Sequence, residues 1–526
     1  MKQAREDKGR IGKILLVATG ILVLLPGRLS PPARAVEDLN QMVRNSQDLR
    51  EKFLKDPHRP GYHFVVPEST RGPFDVNGAI FWKGRYHLFY IFWNKAGCCW
   101  GHISSRDLVH WRHHPTALTP DPNADRRIYS GCALVNKEGV PTLVYHGVGA
   151  GMCIATSTDD NLDTWTKHPA NPVIPIPKEG DPNYAVYNVF DPIAWIHDGR
   201  YYAALGNLQF LRKFGDRMKP EDKGDTLYLF RSDNLVDWKY LGTMYKSDRK
   251  WTAENEDNAC PEFFPLGDKW MLLFISHNKG CQYYIGRWEN EQFIPETHGR
   301  MSWVDNDFFA PESLTDNKGR EIMWAWIRDG RDGQTREGGG WAGVFSLPRV
   351  LSLAKDKTLR TWVPQELQIL RYNPRKLKNL RIGADSELPL KEIQGNSLEL
   401  AIEMVPNGAE QCGINVCVSP DRAEQTAVFY DASEKKLKID TRKSSLGEGP
   451  RSVEAGPFEL NFGEPLKLRV FVDNSVVEVF ANDRQAVMRR IYPTRKDSLG
   501  VVLFSRGGPA KLSTLQAWEL MPSNPY

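Results

Sequence analysis

The sequence predicts an all-β protein in which a five-bladed β-propeller is followed by a C-terminal β-sandwich. Aromatic and β-branched runs bounded by Gly, Asp, Asn or Lys turns recur along the chain and indicate strands. Similar tight turns separate paired runs at 83–85, 136–139, 197–200, 267–269 and 317–320. After about residue 380 the runs alternate polar and apolar residues, which is typical of strands with one buried face.

The first 35 residues have the pattern of an export signal. A basic start precedes a short apolar run, 14–25, which Pro26 and Gly27 interrupt. The small residues of Ala33-Arg-Ala35 suit signal-peptidase cleavage, and the run is too short for a spanning helix. We therefore expect a signal peptide at 1–35, a lead-in segment at 36–60, and a secreted or periplasmic protein.

Charge excludes one class of function. Residues 1–35 hold seven Lys or Arg and two acidic residues, so cleavage there changes the net charge from +4 to near −1. A nucleic-acid surface needs a concentrated basic face. We expect no nucleic-acid partner, no membrane partner after cleavage, and leave the oligomeric state open.

A second repeat supports the propeller, which we place at 61–365. Segments 105–111, 157–165 and 232–238 share a Ser, Asp, Leu, Trp pattern, and each follows a strand. Alternation of this element with the tight turns indicates radial repetition of a strand–turn–strand unit at roughly 50–70 residues, for which a propeller with about five blades is the natural solution. An ordinary sandwich with unrelated turns is the weaker alternative.

The repeats stop near residue 365, where helical spacing of apolar residues in 365–371 predicts a linker helix at 366–380. The sandwich follows at 381–526. In its strand 475–480 we place Glu478 on the solvent-facing side, and expect Glu478→Gln to leave activity within about twofold.

Cysteine and histidine usage gives no metal or cofactor site. The eight cysteines are sparse for this length, and their pairing cannot be inferred from sequence. Residues 110–114 (HWRHH) lack ligand partners, and we interpret them as solvated surface. We expect no metal and no cofactor.

Acidic residues at blade starts are the candidates for chemistry. Inner strands of a propeller converge on its axis, so acids distant in sequence can meet there. Asp75 precedes the first strand, Asp191 lies in an apolar stretch, and Glu262 follows Pro261 in another. Burial of a carboxylate raises its pKa, as a general acid requires. Residues 306–312 form a fourth such stretch.

From about residue 61 onward the chain resembles glycoside hydrolase family 32, the invertases, levanases and inulinases that act on β-fructofuranosides. The segments that carry the resemblance are FDVNG at 74–78, WGHISSRDLVHW at 100–111, YSG at 129–131, FDP at 190–192, CPEFFPL at 260–266, NDFFAP at 306–311, WAGVFSLPR at 341–349 and FVDNSVVEVF at 471–480. The resemblance implies a retaining glycosidase in which Asp75 is the nucleophile and Asp191 stabilises the transition state. In the same segments, Asn77, Trp100, Ser130 and Asp307 are candidates for substrate binding.

The sequence departs from the family at several polar positions. Ala259 stands where the family has its acid/base Glu, and Phe190 where it has Arg before the stabilising Asp. Phe74 and Val76 flank Asp75 in place of Asn and Pro, and Ile91 replaces a Gln. Loss of groups that bind sugar hydroxyls changes specificity by several kcal/mol.

Three interpretations follow. In the first, the protein is an exported retaining glycosidase for fructofuranosides or related furanosides whose acid has moved to Glu262, or to Glu254 or Glu256. Glu262 then needs a bulge, since a three-residue offset in a strand reverses the side-chain face. In the second, the propeller binds carbohydrate without turnover. In the third, it is a structural propeller with no sugar site.

In every version with a sugar site, we expect the carboxyl groups of Asp75 and Asp191 to meet in an axial pocket, within about 10 Å of each other.

Overall fold

The computed structural model describes residues 33–447, 449 and 451–524. One helix, α1 (Ala33–Lys55), occupies most of the predicted lead-in segment. The predicted signal peptide lies almost wholly outside the described residues. None of the helices in the described part of the chain is long and apolar enough to cross a bilayer.

Five antiparallel sheets follow, each a four-strand blade, and two of them carry one extra short strand. Blade I comprises β1 (Val76–Trp82), β2 (Arg85–Asn94), β3 (Gly97–Ser105) and β4 (Trp111–His113). Blade II comprises β5 (Ile128–Val135), β6 (Pro141–Gly147), β7 (Gly151–Thr156), β8 (Thr166–Lys167) and the extra β9 (Ile174–Pro175). Blade III comprises β10 (Ile193–His197), β11 (Arg200–Leu205), the helix α2 (Leu208–Phe214), β12 (Thr226–Ser232) and β13 (Trp238–Lys246), with short 3-10 turns at Gly215–Arg217 and Pro220–Asp222.

Blades IV and V complete the set. Blade IV comprises β14 (Ala259–Leu266), β15 (Lys269–Ser276), β16 (Gly280–Glu289) and β17 (Gln292–Arg300). Blade V comprises β18 (Phe308–Thr315), β19 (Glu321–Ile327), the helix α3 (Gly333–Gly339), the extra β20 (Val344–Phe345), β21 (Arg349–Leu353) and β22 (Leu359–Trp362). The first strands of successive blades contact one another, and β18 returns to β1, which closes a five-bladed propeller as predicted.

Both sequence repeats occupy equivalent places in the blades. Each of the five tight turns joins the first strand of a blade to its second. The Ser, Asp, Leu, Trp segments join the third strand to the fourth in blades I, II and III. In each of these three segments the Leu is in the left-handed region, at φ of 60 to 66°. Hydrogen bonds within the segment hold this turn: in blade I, the Val109 and His110 amides both donate to Asp107 Oδ1.

The sandwich consists of two six-stranded sheets that enclose one apolar core. The first sheet has the order β23 (Arg371–Ile382), β34 (Ala510–Leu520), β25 (Ser397–Val405), β30 (Leu466–Asp473), β31 (Val476–Ala481) and β32 (Gln485–Arg490). The second has the order β24 (Ser386–Gln394), β33 (Gly500–Arg506), β26 (Gln411–Val418), β27 (Thr426–Asp431), β28 (Lys436–Asp440) and β29 (Val453–Pro457).

The predicted linker helix at 366–380 is wrong beyond residue 370. A 3-10 helix covers only Gln365–Leu370, with Leu367 and Leu370 buried. The next residues form β23, which pairs with the last strand, β34. The helical spacing correctly predicts only this short helix, after which pairing with a strand distant in sequence decides the backbone.

The prediction that Glu478 faces solvent is also wrong. Glu478 is fully buried and accepts hydrogen bonds from the Leu347 amide (2.8 Å) and Arg349 Nη2 (2.8 Å) of blade V. His63 Nε2 lies 3.2 Å from the same carboxylate. All six side chains of β31 are buried because its outer face packs against the propeller. Alternation in the sequence could not reveal this second contact.

Candidate active site

A cavity of about 410 Å³ lies where the inner strands of the blades begin. Each blade contributes a residue at or just before its first strand: Asp75, Ser130, Asp191, Cys260 and Phe309. The other lining residues are Pro73, Ile91, Tyr129, Phe190, Leu208, Arg212, His277, Asn306, Trp326 and Arg328. The pocket therefore combines two carboxylates with two guanidinium groups, one imidazole and a largely apolar wall.

Asp75 is buried but poorly satisfied. Its Oδ2 accepts a hydrogen bond from Ser130 Oγ at 2.7 Å, while its Oδ1 has no partner among the described residues. Burial raises the pKa of Asp75 to about 6, the Ser130 bond opposes that rise, and Asp191 adds to it. Near neutral pH the carboxylate is thus ionised with one oxygen free for a ligand.

Asp191 reaches the same place from blade III. It lies in the left-handed region, at φ of 39°, just before β10. Its Oδ2 is 3.3 Å from the Cys260 amide and 3.4 Å from Cys260 Sγ. Non-Gly residues held at positive φ cluster at functional sites because surrounding contacts must enforce them.

The two acids converge as predicted. Cys260 Sγ is 3.4 Å from Asp191 Oδ2 and 4.0 Å from Asp75 Oδ2, so both carboxylates contact one thiol. Their oxygens are therefore closer to each other than the predicted limit of about 10 Å. Burial raises the pKa of the Cys260 thiol well above its ordinary value, so the sulfur between them stays neutral.

Two further lining residues follow the second strand of a blade, a feature that the sequence analysis missed. His277 comes directly after β15, and Arg328 directly after β19. Second strands run antiparallel to first strands, so their ends lie at the same face as the starts of β1 and β10. A signal in the sequence could have found them: each is a polar residue that comes directly after the strand that forms the second strand of its blade.

Glu262 does not line the pocket, which corrects its assignment as the acid. The required bulge exists, between Ala259 and Glu262, but it directs Cys260 to the pocket. Glu262 Oε2 instead accepts a hydrogen bond from Ser313 Oγ at 3.3 Å beside Glu312. Burial, reinforced by Glu321, raises the pKa of Glu262 to about 8.

The two alternative glutamates are also outside the pocket. Glu254 is exposed. Glu256 is buried in a bidentate contact with Arg300, which brings Nη2 within 2.9 Å of Oε1. Burial alone would raise the pKa of Glu256, but hydrogen bonds from Arg300, the Ala253 amide and Gln282 together lower it. Neither residue is placed to give a proton to a sugar.

We expect Glu262→Gln to leave turnover unchanged, because Glu262 lies outside the pocket and its carboxyl, with a pKa of about 8, is mostly as neutral at pH 7 as the amide that replaces it. Wild type should lose stability relative to the variant as pH rises from the ordinary carboxyl pKa to about 8, since over that range only the unfolded chain releases the Glu262 proton freely. Rates at pH 7 and urea unfolding at pH 5 and 9 measure this. A rate loss of about 10²-fold or more would restore Glu262 as the acid.

The predicted substrate-binding residues divide into two groups. Ser130 lines the pocket, and its contact with sugar stays a prediction. Asn77 lies behind it, where Nδ2 donates to the Asp75 carbonyl (2.8 Å) and Oδ1 accepts from the Gly131 amide (3.1 Å). Asn77 thus positions the two inner strands instead of lining the cavity.

Trp100 and Asp307 require correction. Trp100 is fully buried in an apolar cluster of blades I and II and packs against Tyr145 and Phe89. Asp307 Oδ2 lies 3.1 Å from Arg489 Nη1 of the sandwich. Both residues support the structure around the site without facing it.

We expect Ser130→Ala to move the rising limb of the pH–rate profile to higher pH. The Ser130 hydroxyl stabilises ionised Asp75, and a hydrogen bond to a charged group contributes about 1.5–3 kcal/mol, or about one to two pH units. A profile of kcat/KM between pH 4 and 9 measures the shift. An unmoved limb would mean that Asp75 does not control it.

The histidine run at 110–114 is only partly solvated, which corrects our interpretation. The side chain of His114 is fully buried, and its Nδ1 lies 2.6 Å from Asp163 Oδ1. One ring nitrogen of His114 also lies within 4.8 Å of ring nitrogens of His87 and His102. His102 stacks between Phe89 (4.4 Å) and His114 (4.1 Å). Lone pairs lie in the plane of an imidazole, so stacked rings do not direct theirs at one ion.

All eight cysteines are buried free thiols.

A propeller with two carboxylates facing one axial pocket has the arrangement of a glycoside hydrolase. Residues 73–363 match the Glycosyl hydrolases family 32 N-terminal domain, and residues 366–519 match Glycosyl hydrolases family 32 C terminal. The chain belongs to glycoside hydrolase family 32.

Similar proteins cover nearly the whole chain. Sucrose-6-phosphate hydrolase of Zymomonas mobilis subsp. mobilis is 30% identical, over 90% of this chain and 94% of that protein. Levanase of Bacillus subtilis is 28% identical, over 90% of this chain and 72% of that protein. Fructan 1-exohydrolase IIa from Cichorium intybus shares the fold, with a TM-score of 0.76 at 24% identity over 89% of this chain and 98% of that one.

Proposed function

We propose that the protein is an exported retaining glycosidase that hydrolyses β-fructofuranosides, with Asp75 as nucleophile and Asp191 as transition-state stabiliser. The observation that carries the proposal is the convergence of both carboxylates on one pocket, where Oδ1 of Asp75 has no hydrogen-bond partner in the part of the chain that the structure describes. An attacking oxygen must be ionised and free of hydrogen bonds that would hold it back. Asp75 meets both conditions near neutral pH.

The relatives support the substrate class, since their names give sucrose 6-phosphate, levan and fructan as substrates. The pocket wall is apolar at Ile91, Phe190, Phe309 and Trp326. This part of the wall therefore offers fewer hydrogen bonds to sugar hydroxyls than a fully polar site would. Aromatic faces pack against the C–H faces of sugars without fixing each hydroxyl, so we expect tolerance among furanosides.

Export rests on the basic start, the short apolar run and the small residues at 33–35. Amino-terminal sequencing of the protein recovered from the producing cell's exterior or periplasm tests it. A mature chain that begins near residue 36 supports export, and an intact Met1 in the cytoplasm contradicts it.

A second candidate is carbohydrate binding without turnover. It is favoured by the lining of the described pocket, which holds no glutamate, and by Ala259 at the family's acid position. Under this hypothesis sugars bind but are not cleaved.

One experiment separates the two functions. The protein from residue 36 onward is incubated with sucrose, sucrose 6-phosphate, inulin, levan and non-fructose furanosides, and released reducing sugar is measured. Calorimetric titration with the same sugars follows. Release from a fructoside that stops in Asp75→Asn supports hydrolysis, whereas binding without release supports the second candidate.

A further inference from the structure

The pocket needs a proton donor, and few of its lining groups can serve. Asp75 and Asp191 have the roles proposed above, and the Cys260 thiol holds its proton too tightly because burial raises its pKa well above the ordinary value. Arg212 and Arg328 cannot give up a proton in water. Tyr129 carries a phenol, and phenols as a class are much weaker acids than imidazolium groups. The remaining ionisable group on the pocket wall is the imidazole of His277.

His277 is held by an aspartate that is itself buried. Its Nδ1 lies 2.9 Å from Asp257 Oδ2, and its backbone amide donates to Asp257 Oδ1, also at 2.9 Å. An ionised carboxylate only accepts hydrogen bonds, so Nδ1 carries a proton in both charge states of the ring. Every proton exchanged with the pocket must therefore pass through Nε2.

Neighbouring elements fix the ring from several sides. Asn306, before blade V, donates from Nδ2 to the His277 carbonyl at 2.6 Å. The ring of Phe309 packs edge-on at 5.5 Å, and the ring of Phe190 lies 6.1 Å away. The neutral ring of Phe190 stands where the resemblance predicts an arginine, whose charge would oppose protonation of His277.

The charges that face His277 favour its protonated form. Burial alone would lower the pKa of His277, but the bond to Asp257 and the charges of Asp257, Asp191 and Asp75 outweigh it and raise that pKa. Arg328 and Arg212 line the same pocket and oppose this effect without reversing it. The imidazole thus keeps its proton to a higher pH than an ordinary histidine does, and imidazole is a group that can both give and take a proton in catalysis.

We propose that His277, oriented by Asp257, is the general acid and base of this glycosidase and replaces the glutamate that Ala259 removes. The inference rests on the proposed function and names the group that function lacks. Asp257 acts only through His277, whose ring it positions, whereas His277 exchanges the proton with the substrate.

Hydrolysis by these groups takes two displacements at the anomeric carbon. Asp75 Oδ1 attacks the anomeric carbon and forms a glycosyl ester, while the glycosidic C–O bond breaks and its electron pair goes to the leaving oxygen. That oxygen takes the proton from Nε2 of His277, which becomes neutral. A water oxygen then attacks the anomeric carbon, one water proton returns to Nε2, and the ester bond breaks to restore the Asp75 carboxylate.

The first test compares leaving groups in His277→Gln. On a fructoside with a sugar leaving group, kcat/KM should fall by about 10²–10⁴-fold. On 4-nitrophenyl β-fructofuranoside the fall should be much smaller, because 4-nitrophenolate leaves without needing a proton. Turnover of the aryl substrate should then be limited by the second step. Azide, which attacks without a base, should restore it and yield the fructosyl azide.

The pH profile supplies a second readout. Wild-type kcat/KM should rise as Asp75 ionises near pH 6 and fall as His277 loses its proton at higher pH. The falling limb should be absent in His277→Gln. In Asp257→Asn it should move to lower pH, because the charge that raises the pKa of His277 is gone.

His110→Gln is the matched control. His110 also bonds an aspartate through Nδ1, at 2.8 Å from Asp107 Oδ2, but lies exposed outside the pocket. Its variant should match wild type on both substrates. Thermal melting of each variant separates loss of chemistry from loss of folding, and the ratio between leaving groups is independent of the folded fraction.

Several outcomes would overturn the proposal. Equal losses on both leaving groups, or no azide product, would mean that His277 only supports the fold. A leaving-group-dependent loss in His146→Gln instead would assign the role to His146, whose Nδ1 lies 3.9 Å from Asp191 Oδ1. Wild-type hydrolysis of fructosides with unaffected His277→Gln overturns this inference alone. No hydrolysis by wild type overturns the proposed function as well.

Discussion

Asp75→Asn should lower kcat/KM on the best fructoside by about 10⁴-fold or more, since loss of a nucleophile removes the covalent route. The amide has nearly the shape of the carboxylate and still accepts the Ser130 hydrogen bond, so the pocket should keep its form. It cannot attack the anomeric carbon. Rates on purified protein, with calorimetric titration of the same sugar, should show lost turnover and retained binding.

The same substitution should not weaken the fold. The pKa of Asp75 is raised to about 6 in the folded protein, so its ionised form costs stability at neutral pH, and that cost develops as pH rises from the ordinary Asp pKa to about 6. Asn carries no such cost. The melting temperature of Asp75→Asn at pH 7 should equal or exceed that of wild type.

A matched control is Asp225→Asn. Asp225 is also buried and accepts hydrogen bonds, from Thr252 Oγ1 and Tyr284 Oη, but it is absent from the pocket wall. This variant should retain turnover in its folded fraction. More than a tenth of wild-type rate in Asp75→Asn, or equal losses in both variants, would contradict the nucleophile assignment.

Glu478→Gln should lower the free energy of unfolding by about 3–5 kcal/mol, the usual cost of removing one partner of a buried ion pair. Arg349, only 1% exposed, would then lose its carboxylate partner at 2.8 Å. Urea unfolding at pH 7, followed by tryptophan fluorescence, measures the change. Activity per folded molecule should stay within about twofold, because Glu478 is not part of the pocket wall.

The pH dependence of stability gives a second test of the contribution of Glu478. Burial alone would raise the pKa of Glu478, but Arg349 and His63 outweigh it and lower that pKa. The stability from this pair is therefore present above the ordinary carboxyl pKa and lost as pH falls below it. Glu478→Gln should flatten that acid limb.

Two further variants frame this result. Arg349→Met combined with Glu478→Gln should be more stable than Glu478→Gln alone, since no unpaired buried charge remains. Glu459→Gln removes a pair with Lys435 in which both side chains are 60% exposed, and should leave the unfolding curve unchanged. A Glu478→Gln curve that overlays wild type would show that the domain contact does not depend on this pair.

The site follows a similar division between pattern and contact. Asp75 and Asp191 were predictable because acids in apolar surroundings at blade starts must be paired or functional. Glu262 met the same criterion and is nevertheless elsewhere, since the bulge beside Pro261 turns Cys260 to the pocket. A bulge changes the face of every following side chain, and local sequence does not fix its position.

By itself the sequence determined the strands, the five blade turns, the propeller followed by the sandwich, and the two acids of the pocket. These depend on local periodicity and turn chemistry, which neighbouring residues fix. Only the tertiary structure decided that Glu478 is buried, that Glu262 is outside the pocket and that His277 lies within it. The reason is that side-chain burial and charge pairing depend on strands distant in sequence, which meet only when the blades close around the axis.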